Sequence, residues 1–457
     1  MPPPIPFKAR AANSLAAAVL AGEWSRRAVS AELRRLLGRS TAHLHRSICR
    51  QVFRHYNART PPAADRLART LAASETFERA LALSGIRAPA IPLVLDPPRF
   101  APDPALAGLA VPALATEGDL ARFLALTPEE LDWFADIRRP DRAPSPLLHH
   151  YRHAFVAKRI GPPRLLEAPK PDLKRLQRRI LHEILDAVPT HPAAHGFVRG
   201  RSPLSAVQRH AGEAVTVSLD LRNFFLETRA SRIHALFRAL GYPAGVARLL
   251  TGLCSTRTPR AVFEGQSQGR QHDKATIARF AGRHLPQGAP TSPALANLAV
   301  FGLDRRLAGL VERFGGAYTR YADDLMLSGD AGFADRLGAV LPAIETIVRD
   351  EGYALNGPKT RIMRNGARQH LLGIIVNRHC NIERAAYDTL KATLHNAARS
   401  GPASQNRAGH PDFRAHLAGR IAWVETVNRP RGLKLRALFE RIAWPAASSD
   451  GVDETPS

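Results

Sequence analysis

Tyr318-Thr319-Arg320-Tyr321-Ala322-Asp323-Asp324-Leu325-Met326-Leu327-Ser328-Gly329 is the stretch that decides the fold. Two adjacent carboxylates interrupt an apolar run, and the pattern predicts strand, two-residue turn, strand, with the acids at the hairpin tip. Neighbouring carboxylates repel, so a fold that holds them together keeps a cation to set between them. A third acid, Asp220, closes the strand-like run Ala214-Val215-Thr216-Val217-Ser218-Leu219. Alternation puts Val215, Val217 and Leu219 on one face and Thr216, Ser218 and Asp220 on the other, so Asp220 is expected to point away from the core. Alone, an Asp at a strand end is also a common helix N-cap. Three carboxylates converging from neighbouring strands instead suit two Mg²⁺ ions and in-line nucleotidyl transfer.

Working outward, Leu285-Pro286-Gln287-Gly288-Ala289-Pro290-Thr291-Ser292-Pro293 leads into a helix expected over 294–310. Gly288 permits close backbone approach, and Thr291 or Ser292 can cap the helix. Between the two acid motifs this junction is a candidate platform for a nucleotide's base and sugar. Leu355-Asn356-Gly357-Pro358-Lys359-Thr360 reads as a turn with one cation. Lys359 is either a solvated surface lysine or, near a triphosphate, a proton donor to leaving pyrophosphate. Leu371-Leu372-Gly373-Ile374-Ile375-Val376-Asn377 reads as a short buried strand ending in a turn.

Across its 457 residues the chain carries 65 Lys/Arg against 40 Asp/Glu, a net charge of +25 distributed along its whole length. Phosphate neutralisation with counterion release makes nucleic acid the natural partner of such a chain. A GC-rich genome accounts for part of the preference for Arg over Lys, but not for the excess of bases over acids. Cys49, Cys254 and Cys380 lie far apart without metal-ligand spacing, which points to a reduced, cytoplasmic protein. No apolar run is long enough for a transmembrane helix, and Met1-Pro2-Pro3-Pro4, without an apolar h-region after it, is not expected to open a cleavable leader.

Residues 1–85 are expected to be helical, including Ser14–Leu20, Ala28–Leu37 ending at Gly38, and Ala63–Leu83. Arg26, Arg27, Arg34, Arg35 and Arg46 there face either RNA or solvent. Residues 86–117 are Pro-rich and read as a linker. Thr127, Pro128 and Glu130 spell a capping-box helix. Residues 151–169 predict a hairpin turning at Gly161-Pro162-Pro163, followed by an amphipathic helix opened by Asp172 with Leu173, Leu176, Ile180, Ile184 and Val188 inward. Residues 385–445 are helical and basic, and 446–457 form a polar tail expected to be disordered.

The order of these motifs resembles the reverse transcriptases, and within them the bacterial retron-type group. Arg164 in the hairpin, His195-Gly196-Phe197 with Gly200-Arg201-Ser202, Asp220 with Phe224-Phe225, Leu285 to Pro293, Tyr318 to Asp324, Lys359 and Leu372-Gly373 follow one another as in that family. Where retron enzymes carry Asn-Ala-x-x-His this chain has Ser205-Ala206-Val207-Gln208-Arg209-His210, and Leu371-Leu372-Gly373 stands where they carry Val-Thr-Gly. The resemblance implies an α+β right-hand polymerase. Its fingers and palm (118–384) would include an antiparallel sheet carrying the acid triad, with a helical thumb (385–445) and an N-terminal helical extension (1–85).

It further implies that Asp220, Asp323 and Asp324, with the Leu221 carbonyl, hold two Mg²⁺ ions, and that dNTPs are the substrates. Arg164 would grip the phosphates, with Lys158 as a second contact. Gln287 would face the nucleotide's sugar and base, and Phe225 would exclude a 2′-OH. Lys359 would serve the leaving group, and Leu372-Gly373 would begin the primer grip. Expected partners are a structured noncoding RNA serving as template and primer, the RNA–DNA hybrid, an effector protein, and no membrane. Such an enzyme would prime from an RNA 2′-OH and serve antiphage defence. Competing readings are a non-retron bacterial reverse transcriptase using a 3′-OH primer, a noncatalytic RNA-binding scaffold, and an RNA-synthesising polymerase, which Phe225 disfavours.

Overall fold

Residues 7–38, 41–56, 61–84, 99–137, 149–158, 162–264 and 272–444 are described by a computed structural model, and they form an α+β fold. The chain divides into two units, one of residues 1–189 and 225–299, the other of 190–224 and 300–457.

The first unit begins with α1 (Phe7–Ala21), α2 (Arg26–Leu37), α3 (Ala42–His55), α4 (Ala64–Ala72) and α5 (Glu75–Leu83). Their apolar stripes, among them Leu15, Leu33, Ile48, Leu67 and Phe77, close a core that, among the described residues, is drawn from residues 11–81. Gly38, at φ +82°, ends α2 where the sequence places it. The stretch Ala63–Leu83 is two helices rather than one, because the Ser74 hydroxyl accepts from the Phe77 N–H at 3.2 Å and starts α5 afresh. Residues 86–98 of the Pro-rich stretch lie outside the described residues. Beyond them the chain is packed: Ala101 and Asp103 donate to the Gly241 and Ala239 carbonyls at 2.9 Å, and Phe100 lies against Tyr242 at 5.3 Å.

Both helices that follow, α6 (Glu117–Leu124) and α7 (Pro128–Ala135), start with reciprocal capping boxes, the second from Thr127 and Glu130. Strands β1 (Tyr151–Val156) and β2 (Arg164–Pro169) pair antiparallel from Tyr151↔Pro169 to Val156↔Arg164. Gly161 of the expected turn lies outside the described residues. In α8 (Pro171–Glu183) Leu173, Leu176 and Ile180 face inward as their spacing requires, joined by Gln177, which donates to the Tyr151 hydroxyl and the Leu253 carbonyl.

After α9 (Pro203–Val207) of the second unit and α10 (Phe224–Glu227) at the boundary, the first unit resumes. It adds α11 (Ala230–Ala239), α12 (Ala244–Cys254), α13 (Lys274–Phe280) and α14 (Ser292–Ala299). The helix expected over 294–310 is broken. Val300 leaves helical geometry at φ −105°, and Arg232 takes the Ala299 carbonyl at 3.2 Å. Ser292 does not act as the expected cap, since it lies inside α14 and its hydroxyl donates to the Pro286 carbonyl at 2.7 Å.

The second unit is built on an antiparallel sheet. Strands β3 (Val215–Asp220), β4 (Gly316–Tyr321), β5 (Asp324–Gly329) and β6 (Arg361–Arg364) lie in the order β4-β5-β3-β6. α15 (Phe301–Arg313) lies against β4 and packs on α16 (Ala331–Asp350), and β3 is buried along nearly its whole length. α16 lies over β3 and β5, and residues 208–210 lie over β4 and β5. Thr216 is therefore fully buried and Asp220 only 6% exposed, against the expectation that this face of the strand is open.

The run Leu371–Asn377 is not one strand. β7 (His370–Leu371) and β8 (Ile374–Ile375) form a small hairpin around Leu372 and Gly373, at φ +47° and +83°. Two successive left-handed residues are the mark of a tight two-residue turn. Helices α17 (Arg384–Ser400), α18 (Phe413–Val427) and α19 (Arg429–Glu440) close on Leu390, Leu394, Leu417, Ile421 and Leu435. The tail 446–457 lies outside the described residues. Among those described, no helix is long and apolar enough to cross a membrane.

Candidate active site

Pairing of Tyr321 with Asp324 closes the β4–β5 hairpin, so Ala322 and Asp323 are its turn and Asp324 is the first residue of β5. Ala322 sits at φ +57°, in the left-handed region that an L-residue adopts at a cost. Two devices hold it there. The segment before α9 runs alongside β4, with Arg320 N–H donating to the Ala193 carbonyl and His195 N–H to the Arg320 carbonyl, both at 2.7 Å. A Cβ on Gly196 would stand 2.4 Å from the Ala322 nitrogen, so only glycine allows this approach. From below, the fully buried Arg320 guanidinium binds both oxygens of buried Asp304, at 2.8 and 2.7 Å, and donates to the Ala322 carbonyl at 3.0 Å. Tyr318 donates its hydroxyl to Asp304 as well, at 2.8 Å. The pair is thus a hydrogen-bonded bidentate one, the geometry in which a buried ion pair is tolerated.

The register between β3 and β5 sets Asp220 directly opposite Asp324. Leu221 N–H donates to the Asp323 carbonyl at 2.8 Å, which ties the turn to the end of β3. Like charges placed across a ladder repel. Burial first, then Asp323 and Asp220, push the Asp324 carboxyl up to about 6, with the Lys359 ammonium opposing them. The Asp220 carboxylate is already engaged. Asn356 Nδ2 donates to Oδ1 and Lys359 Nζ to Oδ2, each at 2.8 Å, and the Asn356 N–H holds the Asp220 carbonyl at 2.8 Å.

All-oxygen donors on a cluster short of positive charge fit a hard divalent cation. Among the described residues no three acid, His or Cys side chains are yet gathered about one point. Lys359 stands on the Asp220 oxygen a cation would need, so binding there exchanges one positive charge for another.

Of the residues predicted from sequence, Asp220, Leu221, Asp323, Asp324 and Lys359 are brought together in the second unit. Leu372 and Gly373 form the β7–β8 turn in the same unit. Arg164, Lys158, Phe225 and Gln287 belong to the first unit. Arg164 is exposed at the start of β2, and Lys158 is exposed two residues beyond the end of β1. The half-buried Gln287 takes the Glu167 N–H on its carbonyl at 2.8 Å, and Gly288, at φ +130°, lets its loop lie against the Glu167 carbonyl. Beneath that loop, buried Glu167 accepts from Thr258 at 2.6 Å and lies 2.9 Å from His284. Phe225 is half-buried. Phe224 is the core residue of the two, 5.9 Å from the Tyr353 ring.

Comparison with known proteins gives the family. Residues 156–376 match the family described as reverse transcriptase (RNA-dependent DNA polymerase). The retron Mx65 reverse transcriptase of Myxococcus xanthus is 39% identical over 342 residues, spanning 73% of this chain and 74% of its relative. The chain belongs to the retron reverse transcriptases. The retron Mx162 reverse transcriptase of the same organism is 33% identical, over 72% of this chain and 67% of that one. The retron Ec86 reverse transcriptase of Escherichia coli is 30% identical, over 53% and 68%. The protein is an RNA-directed DNA polymerase, with deoxynucleoside triphosphates as substrates and chemistry of a class that draws on divalent metal.

In this retron reverse transcriptase, residues 205–210 acquire a structural account. His210 is fully buried and bridges the two strands of the acid hairpin, with Nδ1 2.7 Å from the Ser328 hydroxyl on β5 and Nε2 2.7 Å from the Thr319 hydroxyl on β4. Burial, with Arg209 and His195 adding to it, pushes the imidazole down to about 3, so it is neutral. Ser205, five residues earlier, lies 2.8 Å from His195 Nδ1 through its hydroxyl. Neither contact is visible in the linear motif. The same holds for Asn356, Arg320 and Asp304, whose partners lie 136 and 16 residues away. An arginine flanking an acid turn inside an apolar strand was the one available signal.

Proposed function

We propose that this enzyme copies part of a structured noncoding RNA into DNA, with Asp220, Asp323 and Asp324 holding two Mg²⁺ ions and an RNA 2′-OH as primer. The observation carrying this reading is the Asp220–Asp324 cross-strand pair beside Asp323, where burial first, and then the two neighbouring carboxylates, push Asp324 up to about 6. When bound, the metal lowers the barrier by activating the attacking hydroxyl and neutralising the triphosphate. The residues of the chain do the rest. Asn356 orients the Asp220 carboxylate, the Leu221 carbonyl offers a further oxygen, and Lys359, released from Asp220, turns its ammonium to the leaving pyrophosphate. Arg164 and Lys158 take phosphate oxygens, Gln287 positions the sugar and base, and Phe225 rejects a ribose. Leu372-Gly373 starts the primer grip. Residues 385–445 act as thumb on a fingers-and-palm region of 118–384, and 1–85 form an extension. A branched or hybrid RNA–DNA product, a cytoplasmic setting, an effector protein partner and a role in antiphage defence complete the proposal.

The test is sequencing of nucleic acid copurified with the wild type and with the Asp323→Asn/Asp324→Asn variant, with and without a debranching step. A discrete DNA joined to one RNA, present only with the wild type and freed by debranching, is the expected result. DNA that needs the acids but carries no branch would remove 2′-OH priming. RNA without DNA from both proteins would overturn the catalytic reading.

A further inference from the structure

Catalysis gives the bundle of residues 7–84 no task, yet its charges are sorted. It carries fourteen Lys/Arg against five Asp/Glu. On α3, Ile48, Cys49 and Val52 point into the core, while His43, Arg46, Arg50 and Arg54 are exposed. A four-residue spacing lines the three guanidiniums along one face over about 12 Å. α2 packs on α3 and adds exposed Arg26, Arg27 and Arg34. Arg26 lies over the Phe53 ring near the end of α3, 5.8 Å from its centroid.

The carboxylates that are paired serve other bases: Glu32 with Arg35, Asp65 with Arg69, Glu78 with Lys8. Among the described residues, no carboxylate is in ion-pair distance of Arg26, Arg27, Arg34, Arg46, Arg50 or Arg54. Like charges at i, i+4 destabilise a helix by a few tenths of a kcal/mol each, roughly. A fold that leaves three of them uncompensated on one face presents a surface suited to a polyanion.

Guanidinium groups match phosphate oxygens two at a time. Among the described residues, no large hydrophobic side chain of α2 or α3 is exposed, so they offer neither an aromatic stacking platform for unpaired bases nor an apolar stripe for lipid. We propose that the α2–α3 face is a phosphate-binding surface for duplex RNA, gripping the backbone of a stem in the RNA the enzyme carries. This rests on the RNA partner of the proposed function.

The test uses the full chain and a fluorescein-labelled RNA duplex of about 20 base pairs, followed by anisotropy across a KCl series. The variant is Arg46→Glu/Arg50→Glu/Arg54→Glu. Its charge-matched control is Arg66→Glu/Arg69→Glu/Arg79→Glu, exposed positions of the same bundle. The stripe variant should lose about tenfold or more in affinity, and its log–log salt slope should become shallower by about 2.7, as loss of three phosphate contacts on a duplex requires. The control should stay within about twofold. Equal losses in both variants, or none in either, would overturn the proposal. So would tighter wild-type binding to a DNA duplex of the same sequence through the same arginines. Extension of oligo(dT) on poly(rA), run alongside, should be unchanged in the stripe variant. Its absence in the wild type would count against the polymerase reading while leaving the binding comparison standing.

Discussion

Asn356 orients the Asp220 carboxylate through its side-chain amide at 2.8 Å, while its N–H holds the Asp220 main-chain carbonyl at 2.8 Å. Groups that orient a metal ligand are typically worth 10–100-fold in metal affinity or activity. Asn356→Ala should therefore lower DNA synthesis by about that factor and raise the Mg²⁺ concentration for half-maximal rate, with the fold intact by circular dichroism; an unchanged Mg²⁺ titration would refute the role. Asp324 makes a prediction of opposite sign for stability. Its carboxyl is raised from 3.8 to about 6, so in cation-free buffer the folded protein keeps a proton that the unfolded chain releases near pH 4. Folded stability then falls as pH climbs from about 4 to about 6 and stays lower above it. Asp324→Asn removes this loss. Measured in EDTA, it should be the more stable protein at pH 7–8, by on the order of 1 kcal/mol once solvent screening of this half-buried group is discounted, with the gap closing below pH 4. DNA synthesis should be lost at every pH. Equal melting temperatures at pH 8 would contradict the cost of burying this charge beside Asp323 and Asp220.

The β4–β5 hairpin works as an element because its turn is held from several sides: Gly196 against Ala322, His210 across the two strands, and the Arg320–Asp304 pair under the turn carbonyl. Removing one member of a fully buried pair leaves an uncompensated charge, at a cost of roughly 3–5 kcal/mol. Asp304→Leu or Arg320→Met alone should therefore destabilise the second unit by about that much. Together, Arg320→Met/Asp304→Leu should recover most of the stability, since matched apolar replacements of such pairs are often neutral. Activity should not recover, because the Ala322 carbonyl still lacks its donor. Chemical denaturation and primer extension on the same double variant separate the two effects, and recovery of both would show the pair to be structural only. The hairpin itself was legible in the sequence, since a period of two and a two-residue turn are local. Its supports were not: Asp304 is a helix residue sixteen positions away, and His210 reads as a displaced motif residue until Thr319 and Ser328 are seen on either side of it. The break at Val300 and the Leu372-Gly373 turn escaped for a related reason, since backbone angles there are set by packing that periodicity does not record.

At the scale of the whole molecule, sequence reading recovered what repeats locally, the helical bundle and the antiparallel strands, whereas the two compact units of the chain are not local features. Residues 190–224 and 300–457 form one unit although 75 residues of the other, 225–299, lie between them in sequence. Only long-range pairing, such as β3 with β5 and β6, joins those segments, and no window of sequence contains it. The bundle of residues 7–84 is the opposite case, because among the described residues its apolar core is drawn from residues 11–81. A core that shares no member with the rest of the chain can be removed without opening a cavity elsewhere. Deleting residues 1–84 should therefore leave a folded protein whose extension of oligo(dT) on poly(rA) stays within about twofold of the full chain. The same deletion should take with it the salt-sensitive component of RNA-duplex binding assigned to Arg46, Arg50 and Arg54. Primer extension, duplex anisotropy and thermal melting on one preparation decide the matter. A truncated chain that is soluble and cooperative but inactive on poly(rA) would make the bundle part of the catalytic apparatus. One that aggregates would show that its outer surface, and not only its core, is needed by the remaining fold.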